Sequence, residues 1–321
     1  MNYDVVMVGG GNAALCAALA AEERGARIVL ERAPHDERGG NSRFTAGAIR
    51  FAHRGVDDLR QVMPDLTDDE ITLTDFGAYT EDQFFDDMFH VTRYGTDPVL
   101  CEMLVRRSFE TMKWLHGNGV RFQPIGIQDR RQVQVPGRVD GRDMGRRPRP
   151  HRQRGRHCDG GRRRDPLWRC VLDLLHNGHC VTGVRIKQGA RIDEISAGAV
   201  VLASSGFESD PEMRARYLGP GWELARVRGT RFNTGDGIKM ALAVGAAAYG
   251  NWSGCHAVGR DFSAPEFGDL AVGDGFQKHS YPFGIMVNAF GRRFIDEGAD
   301  FRDYIYAKYG RTILEQPGNF A

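Results

Sequence analysis

Apolar residues along this chain change period several times, and each change marks an element. Val5, Val6, Met7 and Val8 form an unbroken apolar run, the pattern of a strand covered on both faces. Gly9, Gly10 and Gly11 end it, an alanine-rich run over 13–24 follows, and a second apolar run over 27–30 stops at Glu31. The pattern predicts strand, glycine turn, helix and strand. Over 75–119 the period becomes helical: Thr80 and Gln83 have capping-box spacing, and Phe84, Phe85, Met88 and Val91 recur at threes and fours. A second helix begins near Pro98, with Leu100, Leu104, Phe109, Met112 and Leu115 assigned to its inner face, and stops near Gly117 and Gly119. A helical insertion is therefore expected over about 76–120. Pattern returns near Leu174: a hairpin turning at Asn177 and Gly178, a strand over 199–203, a helix over 238–247, and a hairpin over 284–294 turning at 288–291. After one more helical stretch the sequence stops without a closing strand, which reads as a chain cut short.

The first of these patterns carries chemistry. Gly9 makes a tight turn, Gly11 lets backbone N–H groups of the helix start approach a pyrophosphate with Asn12 and Ala13, and Ala14 keeps helix and strand close. Glu31 follows the glycines by about 20 residues, as a carboxylate accepting from ribose hydroxyls does, and its charge opposes a 2′-phosphate. The turn on its own fits any tight strand–helix connection; turn, helix and acid together point to a dinucleotide. The loop holding Gly39, Gly40, Asn41 and Ser42 suits either a phosphate wrap or a polar surface. Ser204, Ser205 and Gly206 suit a close cofactor approach or a plain strand end. Thr234, Gly235, Asp236 and Gly237 suit an ordinary helix start or an anion site.

Composition narrows the class. The chain has 321 residues, 41% of them hydrophobic, enough for a sizeable core, and no apolar run approaches membrane-spanning length. Six scattered cysteines without a CxxC pair give neither a disulfide framework nor a metal site and read as reduced thiols of a cytoplasmic protein. The net charge of +1 hides an asymmetry: residues 129–170 hold 14 Arg, 5 Asp and no Lys, a net +9 that leaves −8 on the rest. This tract, about 129–172, has almost no apolar periodicity. Three readings stay open: a disordered basic segment, a polyanion-binding arm, or a stretch translated out of frame, whose codons read one base later give a strand, a GGG turn and an apolar helix.

Taken in order, GGGNAALCAALAA with Glu31, GGNSRFTAGA, VVLASSGF, NTGDGI, SGCHAVG and NAFGRRFIDEGADFRD resemble the flavoprotein subunits of the fumarate reductase and succinate dehydrogenase family. Their pattern is most similar to the tricarballylate dehydrogenase branch, with its cobalamin-synthesis-associated flavoproteins. The resemblance implies an α/β fold: a Rossmann-like, GR2-type FAD-binding domain over 1–245 and the N-terminal part of an α+β capping domain over 246–321. It implies that Gly9, Gly11, Asn12, Ala13, Ala14, Glu31 and Arg32 hold the ADP half of FAD. Gly40, Asn41, Ser42, Thr45, Ala46 and Gly47 meet the pyrophosphate and flavin edge, and Ser205, Gly206 and Asp236 line other parts of the cofactor. Members with covalent FAD carry a histidine where Arg43 and Phe44 stand, so noncovalent FAD is expected. The implied reaction removes a hydride to flavin N5 and a neighbouring proton from a di- or tricarboxylate, as in tricarballylate to cis-aconitate. His256 would bind a substrate carboxylate, and Glu297 and Arg302 would belong to the proton path. The implied partners are a small carboxylic acid and a separate electron-acceptor protein, with no nucleic acid, membrane insertion or metal. A remnant that binds FAD without activity is the competing reading.

Overall fold

Alternation inside the first apolar run decides the architecture. In strand β1 (Asn2–Val8), Val6 and Val8 face one side and Val5 and Met7 the other, with Val6, Met7 and Val8 all buried. The computed structural model describes residues 2–22, 27–45, 47–124, 132–134, 169–272 and 275–321. Helix α1 (Asn12–Glu22) crosses to β2 (Arg27–Leu30), which pairs in parallel with β1, Val8 opposite Leu30. Ala14 and Ala18, four apart, are small enough to bring α1 against Met7 on its side of the sheet.

A 3₁₀ turn, Gly40–Phe44, leads to β3 (Ala48–Arg50). Four helices follow: α2 (Val56–Val62) and α3 (Asp68–Leu73), which were not expected, and α4 (Glu81–Thr92) and α5 (Pro98–Gly117), the two expected over 76–120. The first two are too short to display a period, although Thr67 and Glu70 form a capping box that marks α3. The Thr80–Gln83 box caps α4 as expected, and Asp97 caps α5 with Pro98 in its first turn. The inner face of α5 follows expectation at Phe109, Met112 and Leu115, which meet the core, and departs from it in the first half of the helix. Cys101, Val105, Ser108 and Met112 are buried, whereas Leu100 and Leu104 are 54% and 51% exposed. A one-residue shift rotates a helix by about 100°, and here the Ser108 hydroxyl turns inward because the buried Ala52 N–H donates to it, at 3.0 Å. Phe51, Leu59, Val62, Met112 and Phe122 pack the insertion against Leu15 and Leu19 of α1.

Strands β4 (Gln123–Pro124) and β5 (Gln132–Gln134) join β3 in an antiparallel sheet of order β3-β5-β4. β5 thus falls inside the tract expected to be irregular; 129–131 and 135–168, with the out-of-frame, disorder and polyanion readings placed there, lie outside the described residues. The tract also ends earlier than expected, because β6 (Cys170–His176) pairs from its first residue with β7 (Val181–Gln188). Asn177 closes their turn as predicted, its Oδ1 accepting from the amides of His179 and Cys180, each at 3.0 Å. β8 (Arg191–Leu202) is 12 residues long, against the five expected over 199–203. Its polar first half pairs antiparallel with β7 and its apolar second half parallel with β1, giving the order β2-β1-β8-β7-β6. Val171, Leu174, Val184, Ile186 and Ile195 share one cluster with Val6, Val8 and Leu30, so the meander folds over that side of the sheet, with Met240.

Helices α6 (Pro211–Leu218) and α7 (Asp236–Ala243) follow, the latter starting two residues earlier and ending four earlier than expected. Beyond 246 the chain is mostly turns until α8 (Arg302–Leu314). The hairpin expected over 284–294 is a single bridge between Val287 and Arg293, closed by Asn288 N–H donating to Arg292 O at 3.0 Å. α8 docks on α4: Tyr304 Oη donates to the buried Asp87 at 2.6 Å and its ring stacks on His90. Cys16, Cys101, Cys170, Cys180 and Cys255 are free thiols, with Cys180 and Cys255 exposed rather than buried. Among the described residues no helix is long and apolar enough to cross a membrane.

Candidate functional site

Where β1 ends, backbone replaces side chain. Gly9 N–H donates to Leu30 O and Ala203 N–H to Val8 O, each at 2.8 Å, which draws the ends of β2, β1 and β8 together. Gly9 adopts φ 119°, and a Cβ there would stand 2.2 Å from Ala203 O, so no side chain fits. A Cβ on Gly10 would stand 2.5 Å from Glu31 Oε2. Glu31 is 6% exposed, and its other oxygen accepts from Ala33 N–H at 2.9 Å. One carboxylate oxygen is therefore anchored and the other lies against the glycine turn.

Three further connections complete the walls. Asn12 N–H, in the first turn of α1, donates to Ser42 Oγ at 3.0 Å, tying the loop over 40–45 to the helix start. Asn41 Oδ1 accepts from Thr230 N–H at 2.9 Å in space that only a glycine at 229 leaves open, since a Cβ there would lie 1.9 Å away. Arg32 reaches from the end of β2 to the start of α7, pairing with Asp236 at 2.5 Å and donating to Thr234 Oγ1 at 2.8 Å.

These walls enclose a cavity of about 380 Å³ at the carboxyl ends of parallel strands β1, β2 and β8, where an open α/β sheet binds its ligand. Of the expected cofactor residues, Gly9, Gly11, Asn12, Ala13, Glu31, Arg32, Gly40, Asn41, Ser42, Ser205 and Asp236 line it. Ala14 is buried behind it against Met7. Thr45 and Gly47 lie in the turn beyond, joined by Gly47 N–H to Thr45 Oγ1 at 3.2 Å, and Gly206 O accepts from Gly235 N–H at 3.0 Å. Ala46 lies outside the described residues. Arg169, Val171, Thr230, Phe232, Asn233 and Met240 also line the cavity and were not anticipated. Asn233 opens the NTGDG run and could have been read from it; Arg169 is one arginine of a tract rich in them and carries no local signal. The glycine cradle, the N-terminus of α1 and an acid beside them fit a dinucleotide: N–H groups for phosphates, a carboxylate for a ribose.

The expected catalytic residues sit apart from this cavity, on the segment beyond 246. His256 Nε2 is 2.6 Å from Tyr306 Oη of α8, with the two rings edge to face. Arg302 begins α8, one turn before Tyr306, so the structure brings His256 to the helix face on which Arg302 lies. Glu297 is buried in the turn after the Val287–Arg293 bridge and accepts two bonds from Arg293, with the Met286 N–H as a third donor. The Arg293 hydrogen bonds, followed by the Met286 N–H, hold its carboxyl down at about 2. Its ion-pair partner is thus Arg293, while Arg302 O accepts from Tyr281 Oη at 3.2 Å.

Residues 4–171 and 169–317 match the family described as FAD binding domain; the chain belongs to that family, and FAD is its cofactor. It is 26% identical over 343 residues to the probable fumarate reductase Ifc3 of Shewanella frigidimarina (strain NCIMB 400), covering 99% of this chain and 49% of that protein. It is 26% identical over 322 residues to the vinyl phenol reductase of Lactiplantibacillus plantarum (strain ATCC BAA-793 / NCIMB 8826 / WCFS1), covering 98% of this chain and 60% of that one. The open conformation of a flavocytochrome c3 fumarate reductase has the same fold, with a TM-score of 0.65 at 23% identity over 99% of this chain and 51% of the other. The chain therefore spans about half the length of the curated relatives it matches. The family resemblance read from the motifs and the α/β FAD-binding fold it implied are both borne out.

Proposed function

We propose that this member of the FAD binding domain family belongs to an oxidoreductase acting on a CH–CH bond of a di- or tricarboxylic acid, of the tricarballylate to cis-aconitate type, with FAD held noncovalently. The observation that carries the reading is the convergence of the motif residues, from stretches as distant as Gly9 and Asp236, on one cavity. The relatives named above support the reaction class, since fumarate reductase is named for a dicarboxylate with a C=C bond. When bound, FAD supplies the two-electron acceptor or donor at that bond.

The chain's own residues do the rest. The Gly9–Gly11 turn and the first turn of α1 bind the pyrophosphate, and Glu31 binds the ribose. Arg43 and Phe44 offer no imidazole for a covalent flavin bond. His256, held by Tyr306, donates to a substrate carboxylate, and Arg302 on the same helix supplies positive charge beside it. Glu297 stays ionised and fixes the Arg293 guanidinium, so its part in a proton path runs through that arginine. The FAD-binding domain is 1–245 and the substrate-facing segment 246–321; a separate protein takes or gives the electrons.

Purified protein should be yellow, and acid precipitation should release all flavin to the supernatant; flavin retained in the pellet overturns the noncovalent reading. Dye-linked turnover should be found with tricarballylate, succinate or fumarate and not with vinyl phenols. His256→Ala should cut kcat/KM by roughly 100-fold or more with FAD content unchanged. An unaltered rate removes His256 from the mechanism.

A further inference from the structure

Two residues in the wall of the cofactor cavity each carry a buried donor with no protein acceptor. Asn233 is 4% exposed, and its carboxamide Nδ2 is buried without a hydrogen-bond partner. Arg169 Nε is buried and unpartnered in the same way. Both residues line the cavity, and each is fixed there through its backbone. Asn233 O accepts from Ser209 N–H at 2.8 Å in the approach to α7, and Arg169 N–H donates to Glu31 O at 2.8 Å just before β6. Burying a donor without an acceptor is costly, and folded proteins hold few such groups. Two of them around a single void describe a site whose acceptors arrive with the ligand.

We propose that Asn233 and Arg169 are hydrogen-bond donors to the bound FAD. Arg169 serves the adenosine side, because its backbone is joined to Glu31, and Asn233 serves an oxygen beside the N-terminus of α7. The proposal rests on this cavity being the FAD site. It also gives a place to one arginine of the basic tract: composition marks the tract as generic positive charge, while position 169 puts its residue in the wall of the cofactor cavity.

The sign of two measurements separates a ligand donor from a structural one. A side chain that holds the fold lowers the melting temperature of flavin-free protein when replaced; one that waits for a ligand does not, because its replacement removes an unsatisfied group. FAD affinity is read by quenching of flavin fluorescence and flavin-free stability by circular dichroism, for Asn233→Leu and Arg169→Met. Asn233→Leu keeps the size and removes the donor without adding a buried charge, and Arg169→Met keeps the aliphatic stem. Each should weaken FAD binding by about tenfold or more, the double variant by about 100-fold, with the flavin-free melting temperature held or raised. Gly11→Val, which crowds the turn beside Ser42, should abolish FAD binding. If it does so while the Asn233 and Arg169 variants bind FAD as before, this proposal fails and the site stands; if Gly11→Val binds normally, the site itself is wrong. Affinity loss matched by a fall in flavin-free melting temperature also overturns the proposal, by making both residues structural.

Discussion

Around Gly9 the chain is held by its backbone: parallel ladders to β2 and β8, strand-end bonds at 2.8 Å, and space for glycine alone. Beyond residue 246 it is held by side chains: Tyr304 and His90 against α4, His256 on Tyr306, Glu297 clasped by Arg293, with isolated bridges in place of strands. Phe283, Ile285 and Phe290 stand 93%, 72% and 71% exposed there, whereas Val6 and Met7 are sealed at 0%. On the function proposed above, the difference would separate recognition of a constant cofactor from handling of a variable substrate. Phosphates are met by N–H groups whose positions follow from secondary structure, while carboxylates are met by side chains that an irregular segment can re-aim.

The largest test of that contrast is Gly9→Val. It should cost upwards of about 4 kcal/mol and abolish FAD binding, because left-handed backbone and a blocked Cβ coincide; urea unfolding and flavin titration check it, and a well-folded, FAD-binding variant breaks the comparison. Met7→Ala should cost roughly 3 kcal/mol, and Phe283→Ala on the other segment less than about 0.5 kcal/mol, measured by the same unfolding curves. Tyr304→Phe removes a bond to the buried Asp87, which also accepts from Tyr79 Oη at 2.6 Å. It should cost about 2 kcal/mol and raise amide exchange in α8 while leaving β1 and β2 protected.

A further test is a pH dependence. Glu297 sits at about 2 in the folded chain against an ordinary value of 4.5, with Arg293 as the first cause. Its contribution to stability is full above about 4.5 and is lost as pH falls from there through about 2. Arg293→Met should flatten stability against pH in that window, seen by acid unfolding, whereas Met7→Ala should lower stability alike at every pH.

How much of this was legible followed the range of the interactions involved. The Thr80–Gln83 capping box, the Asn177 turn and the glycine turn are local and read correctly. The C-terminal half of α5's buried face, Phe109, Met112 and Leu115, was read correctly, whereas Leu100 and Leu104 were misassigned; Ser108 faces inward to meet Ala52, a partner 56 residues away that periodicity does not see. The first half of β8 was missed because an antiparallel strand with one open face needs few apolar residues. Arg169 and Asn233 were missed because their role depends on what lies across a cavity.

Sequence by itself determined the βαβ unit and the glycine turn with its acid, since each rests on residues close in the chain whose types are forced by backbone geometry, and the family, through short motifs that are each local though spread along the chain. Only the tertiary structure decided that Gly9, Asn41, Asn233 and Asp236 share one cavity and that His256 meets Tyr306. These depend on the meander folding over the sheet and on α8 docking against α4, contacts between segments far apart in sequence whose pairing is set by packing and by the satisfaction of buried polar groups.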